Sequence, residues 1–141
     1  MLNPEQISPQ KPSHALPPAF AGWFERRGWV LRDHQKALIE RADEGRSTLL
    51  TAPTGAGKTL AGFLPSLIEL SGGEKPFRGL HTLYLSPLKA LAVDISRNLM
   101  QPVDELGLEI SIETRTGDTP SHKKQRQRRS PPNILLTTPE Q

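Results

Sequence analysis

The residues best suited to chemistry lie in one run, Ala52-Pro53-Thr54-Gly55-Ala56-Gly57-Lys58-Thr59. Before it stands a short β-prone segment, 47–51, and after it an apolar segment of helix length, 60–70. A loop between strand and helix gathers successive backbone N–H groups at the positive end of the helix. Those groups have no partner inside the helix, so an anion satisfies them. Gly55 and Gly57 lack a Cβ, which lets the backbone curl close to phosphate oxygens. Lys58 is then placed to reach the β- and γ-phosphates, and the Thr59 hydroxyl to ligate Mg²⁺. Ala52 stands where such loops usually have their first glycine, but the Gly-Lys-Thr core is intact. The pattern implies a nucleoside triphosphate site.

Three further loops would share an edge with this one, given how the flanking elements alternate. The sequence predicts strands at 47–52, 81–86, 109–114 and 133–138, and helices at 58–70, 88–100 and from Thr119-Pro120 to about Arg129. In the second helix Leu88, Leu91, Ala92, Ile95 and Leu99 recur at spacings of three and four. Pro65 is expected to kink the first helix without ending it. Strand–helix–strand repetition means right-handed crossovers and a parallel sheet covered on both faces. Ligands of such sheets gather beyond the carboxyl ends of the strands. The loops that follow the later strands are Ser86-Pro87-Leu88-Lys89-Ala90-Leu91, Arg115-Thr116-Gly117-Asp118-Thr119-Pro120 and Thr137-Thr138-Pro139-Glu140-Gln141. Each alone is ordinary turn chemistry. Together they place hydroxyls, helix N-termini, Lys89 and Arg115 along one edge, which suits a sugar-phosphate backbone held without reading bases.

Upstream, residues 1–18 hold five prolines and little that could form a core, so they are expected to be a flexible arm. A helical segment follows over 19–45. Phe20, Trp23 and Phe24 share one side of its first helix, which Gly28 stops. Its second helix runs from Asp33, the expected N-cap, to Glu44. The run His122-Lys123-Lys124-Gln125-Arg126-Gln127-Arg128-Arg129 carries five cations in eight residues. It has no interleaved aromatics to stack bases, and on a covering helix such a run reads first as a solvated face.

Bulk properties exclude several classes. At 141 residues the chain fits one domain with a real core. It has no cysteine, which removes disulfides and thiolate metal sites and suits a cytoplasmic protein. His14, His34, His81 and His122 lack metal-ligand spacing. No apolar run approaches the roughly 20 residues of a membrane span, and residues 1–12 have no signal-peptide core. A net charge of +3 is consistent with a nucleic-acid partner without establishing one.

The motifs in order resemble those of superfamily-2 helicases. Pro53-Thr54-Gly55-Ala56-Gly57-Lys58-Thr59 looks like motif I, Ser86-Pro87-Leu88-Lys89-Ala90-Leu91-Ala92 like motif Ia, and Thr116-Gly117-Asp118 and Thr138-Pro139-Glu140 like motifs Ib and Ic. The wording of 114–120 and 135–140 is similar to the large-helicase-related family, nearest to its bacterial ligase-associated DEXH-box branch. The resemblance covers about 20–141. It implies an α/β, RecA-like first motor lobe over 46–141, with ATP and Mg²⁺ as cofactors. Residues 54–59 would grip the triphosphate. Arg32-Asp33-His34-Gln35 matches the Q-motif position, so Arg32 and Gln35 would belong to the nucleotide site, with Gln35 bonding the adenine edge. Trp29 or an earlier ring would stack on the base. Pro87, Lys89, Arg115, Thr116, Gly117, Asp118, Thr138 and Pro139 would touch single-stranded DNA, an RNA strand or hybrid being the alternative. Repair proteins, a DNA ligase among them, are the implied partners. The acidic DEXH motif does not occur before Gln141, so the expectation is the N-terminal part of a longer helicase, inactive alone. Another phosphate-loop enzyme, such as a nucleoside kinase, and a non-catalytic binding module are the competing readings.

Overall fold

The structure is a computed structural model that describes residues 16–53 and 57–141. Most of the expected arm, and Thr54, Gly55 and Ala56 of the phosphate loop, lie outside the described residues. Eight elements follow: α1 (Pro18–Arg26), α2 (Asp33–Asp43), α3 (Lys58–Ser71), β1 (Thr82–Leu85), α4 (Lys89–Glu105), β2 (Ile112–Arg115), α5 (Ser121–Arg129) and β3 (Ile134–Thr137). The three strands form one parallel sheet in the order β1-β3-β2.

Alternation along the strands assigns the two faces. Tyr84, Ile134, Leu136 and Ile112 turn to one side, where Tyr84 lies 5.4 Å from the ring of Phe63 on α3. There they join one apolar cluster with Phe20, Trp23 and Phe24 of α1, Ile39 of α2, Leu64 and Leu67 of α3, and Ile95 and Leu99 of α4. The opposite face carries α5, which is held to β2 by polar contacts. Arg126 pairs with Glu113, Gln127 Nε2 donates to the Thr114 carbonyl at 3.2 Å, and Arg115 donates to the Lys124 carbonyl at 3.1 Å. Placing α4 and α5 on opposite faces fits right-handed crossovers, because the path from β1 to β2 runs across the sheet and the path to β3 returns.

Several expected boundaries move. The segment 47–52 is not a strand: it makes no ladder bond, and Leu49 is 87% exposed. Intrinsic β-propensity acts through packing on a neighbouring strand, and neither edge of this sheet supplies one to 47–52. Nor are both faces fully covered, since Leu83 and Leu85 on β1 are 54% and 58% exposed. The expected arm ends early: Leu16 packs on the core, Pro17 is the N-cap of α1, and Pro18 takes the first helical position, where a missing N–H costs nothing. Asp33 is the first residue of α2 and Arg32 its N-cap. Likewise α5 starts at Ser121 with Pro120 as N-cap. α3 continues through Pro65 as expected. α4 runs on past Met100 and through Pro102, whose ring and the neighbouring Val103 are buried, so packing offsets the lost helix bond.

At the amino edge of the sheet, buried Asn133 pins three segments together. Its Oδ1 accepts from the Ser111 backbone N–H at 2.9 Å, and its Nδ2 donates to the carbonyls of Phe77 and Gly79, each at 3.0 Å. Removing an amide that satisfies several main-chain groups leaves those groups dry and unpaired. Asn133→Ala is therefore expected to lower unfolding stability by about 2–3 kcal/mol, read as a lower urea midpoint at unchanged m-value.

Candidate nucleotide and nucleic-acid site

Lys58 and Thr59 open α3, and both are exposed at its N-terminus. Gly57 precedes them with φ +74°, a left-handed conformation that a side chain resists. Space is tight there too, since a Cβ at Gly57 would lie 3.1 Å from Gln35 Nε2 and push that side chain aside. Lys58 Nζ donates to the Ala52 carbonyl at 2.8 Å, folding back over the loop. A neutral carbonyl is a weaker acceptor for an ammonium than a phosphate oxygen, so this bond is readily exchanged. Among the described residues the Thr59 hydroxyl has no hydrogen-bond partner. These residues fit a Mg²⁺-bound triphosphate.

The Gln35–Gly57 approach joins the phosphate end to a cleft of about 800 Å³ lined by Trp29, Arg32, Gln35, Gly57 and Leu60 among others. Gln35 is only 4% exposed. Its Oε1 accepts the Arg32 backbone N–H at 2.9 Å, capping α2, while Nε2 faces the phosphate loop. It has a structural duty as well as the expected recognition one, and its amide oxygen retains a second lone pair for a base. Among the aromatic candidates, Phe20 and Trp23 are at most 2% exposed, and Phe24 shows only an edge. Trp29 is 44% exposed and lines the cleft, so it is the ring available to a base.

A second group of expected residues meets at the carboxyl edge. Lys89 Nζ lies 2.5 Å from Asp118 Oδ2, bringing the loops after β1 and β2 together beside a cleft of about 460 Å³. Pro87, Gly117 and Pro139 are exposed there. Thr116 and Thr138 are 5% and 6% exposed. Thr116 Oγ1 accepts the Asp118 N–H at 3.3 Å, and Thr119 Oγ1 accepts the Thr116 N–H at 3.0 Å, so these hydroxyls shape the turn. Arg115 is engaged with α5, as described. On β2, facing α5, Glu113 is held below the usual carboxylate range: burial raises it, but the bonds from Arg126 and Gln127 outweigh burial. Arg126 is thereby committed to the fold, while Arg128 and Arg129 have no ion pair or side-chain hydrogen bond among the described residues.

Comparison with known proteins decides the family. A family model of DEAD/DEAH box helicases matches residues 32–141. The chain belongs to this family. It is 42% identical over 132 residues to the ATP-dependent helicase Lhr-Core of Sulfolobus acidocaldarius, covering 87% of this chain and 15% of that protein. It is 44% identical over 129 residues to the Lhr helicase/probable uracil glycosylase of Mycolicibacterium smegmatis, covering 84% and 9%. The solved structure of Mycobacterium smegmatis helicase Lhr bound to ssDNA and AMP-PNP superposes with a TM-score of 0.76 at 37% identity, over 89% of this chain and 17% of that one. The helicase MrfA bound to DNA and AMPPNP gives 0.77 at 32%, with the same coverages. The chain thus spans a small part of these helicases, and its sheet and helices are part of a RecA-like helicase lobe of the Lhr type. No described helix is long and apolar enough to cross a membrane.

Glu105 was not legible as a site residue in the sequence. It accepts from Trp23 and Arg27, both of which contact Trp29. No motif marks it, because its partners lie about eighty residues away.

Gln35→Ala removes an α2 cap and, with it, the base contact that the family resemblance leads one to expect. The expected outcome is about 1 kcal/mol less stability and a greater loss of affinity for ATP than for GTP, measured by competition binding. Equal losses for the two nucleotides assign Gln35 to the cap alone.

Proposed function

We propose that this chain is the ATP-gripping part of the first motor lobe of an ATP-dependent DNA helicase or translocase. The observation that supports the reading is that Gln35 and Gly57 line one cleft, close enough that a Cβ on Gly57 would crowd Gln35, so the Trp29 cleft runs on to the N-terminus of α3. In this reading the base stacks on Trp29 and is bonded by Gln35, with Arg32 at the mouth. The triphosphate lies on residues 54–59, where Lys58 leaves the Ala52 carbonyl for phosphate oxygens. Bound Mg²⁺, held in part by Thr59, would neutralise charge on those phosphates.

A single DNA strand crosses the carboxyl edge over Lys89, Gly117, Asp118 and Pro139. Lys89 is half exposed and its pairing with exposed Asp118 is worth little in water, so a phosphate displaces the carboxylate at low cost. The relatives solved with ssDNA or DNA and a nucleotide analogue support this pairing of ligands. A nucleoside-kinase reading leaves the placement of Gln35 against the phosphate loop without a purpose, and family membership disfavours it. The narrower form of the reading, a cytoplasmic DNA-repair enzyme with a DNA ligase among its partners, is supported by the sequence resemblance.

Hydrogen bonds to charged groups contribute about 1.5–3 kcal/mol each. Lys58→Ala is accordingly expected to weaken ATP binding by about tenfold to a hundredfold and to abolish DNA-stimulated hydrolysis in the intact protein. Normal ATPase activity in that variant overturns the nucleotide-site assignment.

The strand assignment is tested by salt. Neutralising one true phosphate contact lowers the slope of log K against log salt by roughly 0.7 for a single strand. Lys89→Ala should do so in titrations with labelled single-stranded DNA. The rival surface is α5, tested by joint neutralisation of Lys123, Arg128 and Arg129, which spares the structural Arg126. A slope altered only by the α5 variant moves the DNA to the other face of the sheet.

A further inference from the structure

Glu105 ends α4, where a carboxylate is electrostatically disfavoured by the negative end of the helix, and no basic residue stands in that last turn. Helix stability therefore does not explain it. Its two oxygens instead receive four donors. Trp23 Nε1 donates to Oε2 at 2.7 Å and Arg27 Nε to Oε2 at 3.2 Å. Arg27 Nη2 donates to Oε1, and Gln101 Nε2 reaches Oε1 at 3.1 Å. This two-pronged guanidinium grip fixes orientation as well as distance. Those bonds, led by the one from Trp23 and then those from Arg27, hold the Glu105 carboxyl below its usual range.

Two of the side chains held by Glu105 also touch Trp29, whose third ring contact is Phe24, edge-on at 5.9 Å. The Arg27 guanidinium lies 5.4 Å from the Trp29 ring centroid, over its face. The Trp23 ring meets Trp29 edge-on at 5.3 Å. Trp29 itself sits outside any helix or strand, just after the turn at Gly28, with its backbone N–H on the Phe24 carbonyl at 2.8 Å. Its backbone is anchored there, but its ring takes its place from side-chain neighbours. As a half-exposed ion pair, Arg27–Glu105 adds little to global stability. Its effect falls on the placement of the guanidinium.

We propose that Glu105 is a positioning residue for the nucleotide base, holding Trp29 in the cleft through Trp23 and Arg27. The inference rests on the reading of that cleft as the base site. Stacking tolerates any base, so the effect extends to ATP and GTP alike, whereas the side chains bonded to Glu105 are Trp23, Arg27 and Gln101 and include neither Lys58 nor Thr59.

The test measures binding of ATP, GTP and inorganic tripolyphosphate, each with Mg²⁺, to the intact protein and four variants. These are Glu105→Ala, Glu105→Gln, Trp29→Ala and the Glu105→Ala/Trp29→Ala double variant. Glu105→Ala is expected to weaken both nucleotides about three- to tenfold and leave tripolyphosphate unchanged. Glu105→Gln keeps an acceptor for Trp23 without the charge and should fall between. The double variant should bind no more weakly than Trp29→Ala alone, because one residue acts through the other. Additive losses, an equal loss of tripolyphosphate affinity, or full nucleotide affinity in Glu105→Ala overturns the proposal. If Trp29→Ala weakens ATP while Glu105→Ala does not, the base site stands and only the role of Glu105 falls. If Trp29→Ala binds ATP normally, the base-site reading itself falls and the inference with it.

Discussion

Parallel pairing of β1 and β2 on either side of β3 is the constraint on which the rest of this molecule depends. Parallel strands cannot be joined by a tight turn, so each connection must cross over as a helix. Every such helix then begins at the same edge of the sheet, with its free N–H groups facing that edge. Lys89 at the start of α4 and the Thr116–Pro120 turn before α5 become neighbours for this reason, although nearly thirty residues separate them. The central strand makes the arrangement stable: Ile134 and Leu136 are fully buried, and burying such side chains contributes about 1.5–3 kcal/mol each.

Where a signal was local, the sequence carried it faithfully. The apolar spacing of α4 and the left-handed Gly57 before Lys58 needed only near neighbours to decide their conformation. Where the outcome depended on a distant partner, the sequence was silent or misleading. Residues 47–51 have strand propensity, yet propensity there could not supply a neighbouring ladder. Thr116 and Thr138 carry the right hydroxyls for phosphate, but their burial follows from how the loops fold on each other. Thr116, in particular, bonds its own turn. Arg126 reads as one more surface cation, and only Glu113 on the adjoining strand shows it to be a fixing point of α5.

Among the apolar side chains left without cover are Leu83 and Leu85 on the outer face of β1, and Leu49 in the unpaired segment. They belong to the same problem. A β1 edge without a neighbour leaves main-chain groups to water, and the adjoining face then keeps side chains whose burial would be favourable. The opposite face shows the contrast. Tyr84, between Leu83 and Leu85, is covered because Phe63 of α3 reaches it. Alternation alone therefore sorted these residues by face, while the elements at hand decided which face became dry.

The cleft lined by Trp29 and Gln35 has a similar logic at the scale of single groups. Gln35 caps α2 through one atom and approaches the phosphate loop through another. Trp23 fills the core with its ring and sends its N–H to Glu105. α4 carries Lys89 at one end and Glu105 at the other, and a helix of 17 residues is about 25 Å long at 1.5 Å per residue. A rigid rod of that length connects the edge assigned to DNA with the support of the base cleft. Its middle is anchored in the shared core by Ala92, Ile95 and Leu99. Small loop motions at either end meet a packed element, since the interior is dense and does not deform continuously. The regions proposed for nucleotide and for strand are thus built on one body, which is the geometry that the proposed coupling of the two requires.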